Sequence, residues 1–175
     1  MNLRRVFTSL LTALLVLSGC SESLDWREMS PSGWHLLVSM PCRPASQTRR
    51  LTVSGRAVDM AMQVCDAGGW TFSIAMLDAH DPTLVGDIVT GLRSAVVGNI
   101  EGQVIRDEPA EVPGMTPHLS SRRLTLRGHL PDGRATQGQA VWFSRGTRVY
   151  QAVVFGGVAD EGVANTFASA LKVVP

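Results

Sequence analysis

The chain carries almost no net charge, has few aromatic residues and only three cysteines, and lacks the usual signatures of catalysis. Its formal charge is +1 and aromatics make up 6% of its residues. Near-neutrality removes the electrostatic footprint expected of a nucleic-acid-binding chain. There is no Gly-x-Ser-x-Gly elbow to raise a hydrolase nucleophile. There is no Gly-x-x-x-x-Gly-Lys-Ser/Thr loop to cradle phosphates. The four histidines, His35, His80, His118 and His129, are scattered. No pair has the i, i+4 or Cys-x-x-Cys-like spacing that metal sites use. Each is expected at the surface, with His118 and His129 close enough in sequence to meet across a loop. No repeat or low-complexity segment is present. These absences name no catalytic residue, no metal ligand and no cofactor. A hydrophobic content of 45% is nonetheless that of a globular chain.

What is present begins at the N-terminus. Arg4 and Arg5 precede an apolar run from Val6 to Leu17, broken only by Thr8, Ser9 and Thr12. A transmembrane helix needs about 20 such residues, and the basic start with a small-residue end fits a removed signal peptide. The run closes on Leu17-Ser18-Gly19-Cys20, which resembles the lipobox of bacterial lipoproteins. The resemblance implies cleavage before Cys20 and acylation of its sulfur and its new amine. One acyl chain anchors only marginally; three hold a protein almost permanently. Ser21, not aspartate, follows Cys20. In lipoproteins of double-membrane bacteria that implies sorting to the outer membrane, facing the periplasm. An ordinary signal with a chance cysteine, or an uncleaved anchor, is the alternative. The chain thus divides into a signal peptide at 1–19, a lipidated cysteine and tether at 20–33, and one globular domain at 34–175. Loss of Arg4 and Arg5 takes the formal charge from +1 to about −1.

Cys42 and Cys65 remain. In an oxidising compartment two leftover cysteines are expected to pair. The segment between them runs down one strand and back along the next, which sets the two side by side. Two buried free thiols are the alternative. Zinc would want about four ligands, and no others stand at suitable spacing.

Within the tether, Leu24 and Trp26 are out of place and are expected to pack on the domain or to begin its first strand. Residues 34–40 read as a short apolar strand stopped by Pro41 and Pro44. Residues 47–54 read as a second strand, turning at Ser54-Gly55. Val58, Met60, Met62 and Val64 alternate with polar or small residues, and Trp70, Phe72, Ile74 and Met76 continue the alternation. Met60, Met62 and Met76 are expected to share a core face rather than a metal. Asp81 caps a helix with Leu84, Val85, Ile88, Val89, Leu92 and Val96 as its apolar stripe, ended by Gly98-Asn99. A short strand surrounds Val104 and Ile105, and prolines make 109–117 a loop. Residues 122–130 and 136–143 form strands joined by a Pro131-Asp132-Gly133 turn. Residues 148–155 are apolar on both faces, as in a central strand covered on both sides. Gly156-Gly157 breaks it, as a plain turn or as amides offered to an anion. Asp160 caps a last helix carrying Val163, Phe167, Ala170 and Leu171. Arg49 with Arg50, Arg122 with Arg123, and Arg145 with Arg148 read as solvated strand faces; if they converge, they offer a surface to anionic lipid or an acidic partner. The expected class is α+β: a mainly antiparallel sheet of about six to eight strands with two main helices packed on it.

The strand ending in a proline pair (35–44), the charged hairpin after it, the central amphipathic helix, the Arg148-Val149-Tyr150-Gln151-Ala152 strand and the closing helix with Phe167 and Leu171 together resemble the PsbP-like α/β/α sandwich family over residues 34–174. Such domains are mostly binding or assembly factors, so the resemblance implies no catalytic residue. The expected function is a lipid-anchored periplasmic binding or assembly module, membrane-held through Cys20 and contacting another envelope protein by a sheet face or the 109–117 loop. A carrier of a small apolar ligand or lipid, in a pocket between sheet and helix, is the alternative; an enzyme of unrecognised type is a third. Replacement of Cys20 by alanine is expected to release the protein from the membrane fraction. Labelled palmitate still incorporated into that variant would refute the lipobox.

Overall fold

The alternation of apolar and polar residues along 58–64 and 70–76 suits pleated strands with one face in the core, and the apolar run at 148–155 suits a strand buried on both faces. The computed structural model describes residues 24–53, 56–157 and 160–175. The lipobox and the Ser54-Gly55 turn lie outside the described residues. In chain order the elements are β1 (Arg27–Met29), β2 (Leu36–Met40), β3 (Ala45–Val53), β4 (Arg56–Ala67), β5 (Trp70–Asp78), α1 (Val85–Asn99), β6 (Gln103–Pro109), β7 (Arg122–His129), β8 (Ala135–Arg145), β9 (Arg148–Gly156), α2 (Glu161–Ser169) and β10 (Lys172–Val173). Seven strands form one antiparallel sheet in the order β3-β4-β5-β9-β8-β7-β6. A three-stranded sheet, β1-β2-β10, lies over one of its faces. The α+β sandwich read from the sequence is the fold observed.

Each face of the large sheet has its own cover. Phe72, Ile74, Phe143, Tyr150 and Val154 point to one face and meet Leu36 and Val38 of β2 and Phe167 of α2. Leu77, Leu124, Trp142 and Val149 point to the other and meet Ile88 and Val89 of α1. Burying one such side chain contributes about 1.5–3 kcal/mol. Phe72 stands edge-on between Trp26 at 5.5 Å and Phe167 at 5.4 Å, ring centre to ring centre. The Tyr150 hydroxyl, buried beneath the small sheet, donates to the Trp34 carbonyl at 2.7 Å. Burial pushes that phenol's pKa upward, so it stays a donor. Trp142 is satisfied by Gln151 at 2.8 Å on the other side.

Several local expectations are refined. Leu24, Trp26 and Met29 are partly buried against the core, and β1 pairs with β2, so part of the stretch read as a tether is folded. Met60 and Met62 share the α1 face, whereas Met76 lies opposite Ala61 and points to the other face. All three pack into cores, but not on one side. A 3-10 turn at Pro82–Leu84, capped by Asp81, precedes α1. At the far end of α1 the left-handed residue is Glu101, with φ 47°, rather than Gly98 or Asn99. No helix among the described residues is long and apolar enough to cross a membrane.

Cys42 and Cys65 are joined as a disulfide, with Cα atoms 6.0 Å apart. The bond ties the exit of β2 to β4, and so the small sheet to the large one. It closes a loop of 23 residues. Constraint of the unfolded chain over such a loop is worth about 3 kcal/mol. Replacing both cysteines by alanine is expected to lower unfolding stability by about that amount in chemical denaturation. A change below about 1 kcal/mol would show that the bond does not hold the layers together.

Candidate functional site

The titratable side chains do not assemble into a catalytic group. All four histidines are exposed. A Cβ added at Gly86, in the first turn of α1, would stand 3.2 Å from the His118 ring. The His129 amide bonds the Ile100 carbonyl at the other end of that helix. A helix rises about 1.5 Å per residue, so these ends are about 20 Å apart. The two histidines therefore do not meet. No group of three or more His, Cys, Asp or Glu side chains is placed to hold a metal among the described residues. Asp78 accepts a hydrogen bond from Thr147 and from the His80 amide, and these hold its carboxyl below the ordinary range. Its role is to seat the junction between β5 and α1.

The arginines do not converge either. Arg49 and Arg50 lie on β3, and Arg122 and Arg123 on β7, five strand spacings or about 24 Å away. Arg122 bonds Asp107 at 2.6 Å, and Arg93 of α1 approaches the same carboxylate at 3.4 Å. Arg123 is not a solvated side chain. It is partly buried, donating to Gln139 at 2.6 Å and to Asn165 of α2 at 2.7 Å. Burial lowers its pKa, partly offset by Glu108. It fastens α2 to the sheet. At Gly156 an added Cβ would stand 2.5 Å from the Trp70 ring, so that glycine makes room for an indole.

The proline-rich segment between β6 and β7 packs Ala110 and Val112 into the core and carries most of the rest of its length at the surface. It is pinned along its length. Val173 of β10 donates to Pro113 O at 2.8 Å, and Thr116 donates to Ser144 O at 2.7 Å. Arg145 Nη1 donates to Gly114 O at 2.6 Å. Gly114 has φ 82°, and an added Cβ would stand 2.5 Å from Val173 O; only glycine fits there. The Ser120 amide donates to His118 Nδ1 at 3.1 Å, closing the tip on itself. This bonding fixes the backbone of the strap.

Between its anchored ends the strap presents apolar surface. Leu119 is 96% exposed. It flanks an open cleft of about 800 Å³ whose lining includes Pro109, Val112, Met115, Pro117 and His118. Ser121 also lines it, 3% exposed, with a hydroxyl that has no hydrogen-bond partner. An unpaired buried hydroxyl costs about 1–3 kcal/mol. The prolines announced a loop in the sequence, but not this. The one available signal was Leu119 itself, an aliphatic residue in a proline loop with no periodicity to place it in a core.

A second hollow, of about 580 Å³, lies where β1 meets the end of β2 and is lined by Arg27, Met40 and Cys42. The one between the sheet and α2, beside Trp70, Gln139 and Ala164, holds about 150 Å³. Two adjoining hollows of about 250 and about 360 Å³ run between α1 and the β3–β4 pair and share Leu51, Leu92 and Ala95. Ligand sites begin at about 300 Å³ and enclose most of their ligand. The pocket between sheet and α2 is well below that.

No family model matches the chain, and no curated protein matches it. Among solved structures it is similar to the solution structure of cyanobacterial PsbP (CyanoP) from Synechocystis sp. PCC 6803, with a TM-score of 0.50 and 14% sequence identity, over 89% of this chain and 95% of that one. The similarity is one of fold: the chain has the PsbP-like α+β sandwich that its order of strands and helices suggested.

Proposed function

We propose that this protein is a lipid-anchored module of the bacterial envelope that binds or assembles another protein and performs no chemistry itself. The observation that carries the proposal is the strap at 110–121: a hydrogen-bonded backbone that holds a leucine 96% exposed beside an open cleft. A rigid, preorganised segment loses little entropy on docking. An exposed aliphatic beside prolines and methionine supplies the apolar centre that protein contacts use. The PsbP-like fold supports the same reading, since the resemblance implies binding or assembly. A lipid carrier would need an enclosed apolar cavity; the sheet–α2 pocket of about 150 Å³ is too small for one, and the two hollows between α1 and the β3–β4 pair are half open.

Attachment through Cys20, proposed from the lipobox, gives the surface a direction. Leu24 is already packed on the domain, and four residue steps from Cys20 reach at most about 14 Å. The domain then lies close to the bilayer. The chain enters β1 beside Met40, at one end of β2, where Arg27 pairs with Met40. The strap is held by Val173, which pairs with Leu36 at the other end of β2. The strap is thus anchored, at Pro113, to the end of β2 away from the proposed attachment, and the partner of Leu119 is taken to be a protein rather than the lipid of the tether.

A photo-reactive amino acid at position 119 is expected to give one discrete adduct in intact cells, identified by mass spectrometry as an envelope protein. The same group in the exposed Pro131-Asp132-Gly133 turn is expected to give none. Leu119→Asp is expected to abolish co-purification of that protein while changing stability by less than about 0.5 kcal/mol. Undiminished co-purification with Leu119→Asp would overturn the assignment of the strap.

A further inference from the structure

The seven-stranded sheet is open at both edges, and the two edges differ. At β6 the pairing with β7 shifts register between Val104 and Arg106, and the strand ends in Pro109. Asp107 is held by Arg122 and Arg93. A bulge, a proline and mixed charge are the devices by which edge strands refuse a further strand. At β3 the bulge and the proline are missing, and the protection left is the charge of Arg49 and Arg50. Its nine residues pair with β4 in an unbroken register from Ala45↔Val64 to Val53↔Arg56. The strand contains no proline or acid, and residues 45–50 are exposed. Among the described residues its outer backbone groups face no other strand.

The side chains along this edge specify what would fit. Arg49 and Leu51 point to the α1 face, where both line the trough between α1 and the β3–β4 pair together with Met60, Met62 and Leu92. Arg50 points to the opposite face and pairs with Asp59 at 3.2 Å. Arg49 has no carboxylate partner among the described residues. Asp87 lines the far part of the trough, beyond Leu51 and Thr52. Two adjacent arginines at the middle of the strand oppose pairing with a second copy, because like charges would meet across the new ladder. They favour a strand that brings acid to that position and an aliphatic side chain to the trough.

We infer that β3 is a docking edge for an extended acidic segment of a partner polypeptide, which adds as an eighth strand and turns one face to α1, setting an acid against Arg49 and an aliphatic side chain two residues away over the trough. Main-chain hydrogen bonds supply the affinity, and the Arg49 contact with the trough supplies the selectivity. The inference does not depend on the strap, which lies beside β6 and β7 at the opposite side of the sheet.

The test uses the lipidated protein in nanodiscs and a capped nine-residue peptide that carries threonine on one face and valine, glutamate and valine in succession on the other. Saturable binding is expected, with slowed hydrogen exchange confined to residues 45–53 of β3. Arg49→Glu, at an exposed site, is expected to weaken binding at least about tenfold, with an unchanged melting curve. The same peptide with lysine for glutamate is expected to bind that variant and not the parent. Arg106→Glu on β6 is expected to change nothing. The inference is overturned by an absence of binding to the parent, by binding that leaves β3 unprotected, or by binding that Arg49→Glu does not weaken. It is equally overturned if β3 is protected by self-association of the protein, or if anionic vesicles protect it and the peptide does not.

Discussion

Strand β9 has no solvent face, and the architecture follows from that constraint. Its alternate residues Tyr150, Ala152 and Val154 are buried on one side, and Val149, Gln151 and Val153 on the other. A strand of this kind cannot lie in a sheet with one wet face. It must sit near the middle, and both faces must be covered. One helix suffices for the side that α1 covers. The other side is wider than α2, and the short β1-β2-β10 sheet fills the remainder. The polar groups carried inward are used to lock these layers. Tyr150 reaches across to the backbone at Trp34, Gln151 receives the Trp142 indole, and Arg123 and Gln139 share the Asn165 carbonyl oxygen. A buried polar group without a partner costs free energy, whereas a partnered one fixes geometry.

The perturbed side chains belong to the same pairing of layers. An acid–base site needs titratable groups gathered in one cleft with perturbed pKa values. Here the shifted groups have structural causes. Asp78 is lowered by the hydrogen bonds that seat the β5–α1 junction. Tyr150 is raised by burial between layers, and Arg123 is lowered by burial under α2. The histidines stay at the surface and apart. What the layers leave unused is the exposed part of the segment that links β6 to β7 and the outer edge of β3.

The large sheet and both helices were legible in the sequence because their periods are strong. Residues 58–64 and 70–76 alternate without a break, and Leu84 to Val96 repeats at three and four residues. The disulfide was legible because two cysteines remained and the strand reversal between them set them together. The small sheet was not, except for β2. β10 is two residues long and β1 three, too short for any period to show. Their place is set by the uncovered face of the large sheet, a tertiary cause with no local trace. The face of Met76 was misread for a related reason. The turn at Asp66-Ala67-Gly68-Gly69 sets the register between β4 and β5, and with it which face each methionine takes.

Arg122 and Arg123 mark the limit of reading strands from composition. They are neighbours, so the pleat sends them to opposite faces. One meets Asp107 on the α1 side and the other meets Gln139 and Asn165 beneath α2. Two adjacent arginines therefore do not make a basic patch once both faces are covered; each becomes a fastener for a different layer. Arg49 and Arg50 obey the same pleat, but at the sheet edge. There Arg50 has an acid across the hairpin and Arg49 faces only the trough. Both arginines of the pair are thus used by the fold at β7, and at β3 Arg49 is left over. What decides between the two is whether the strand has a neighbour on its outer side.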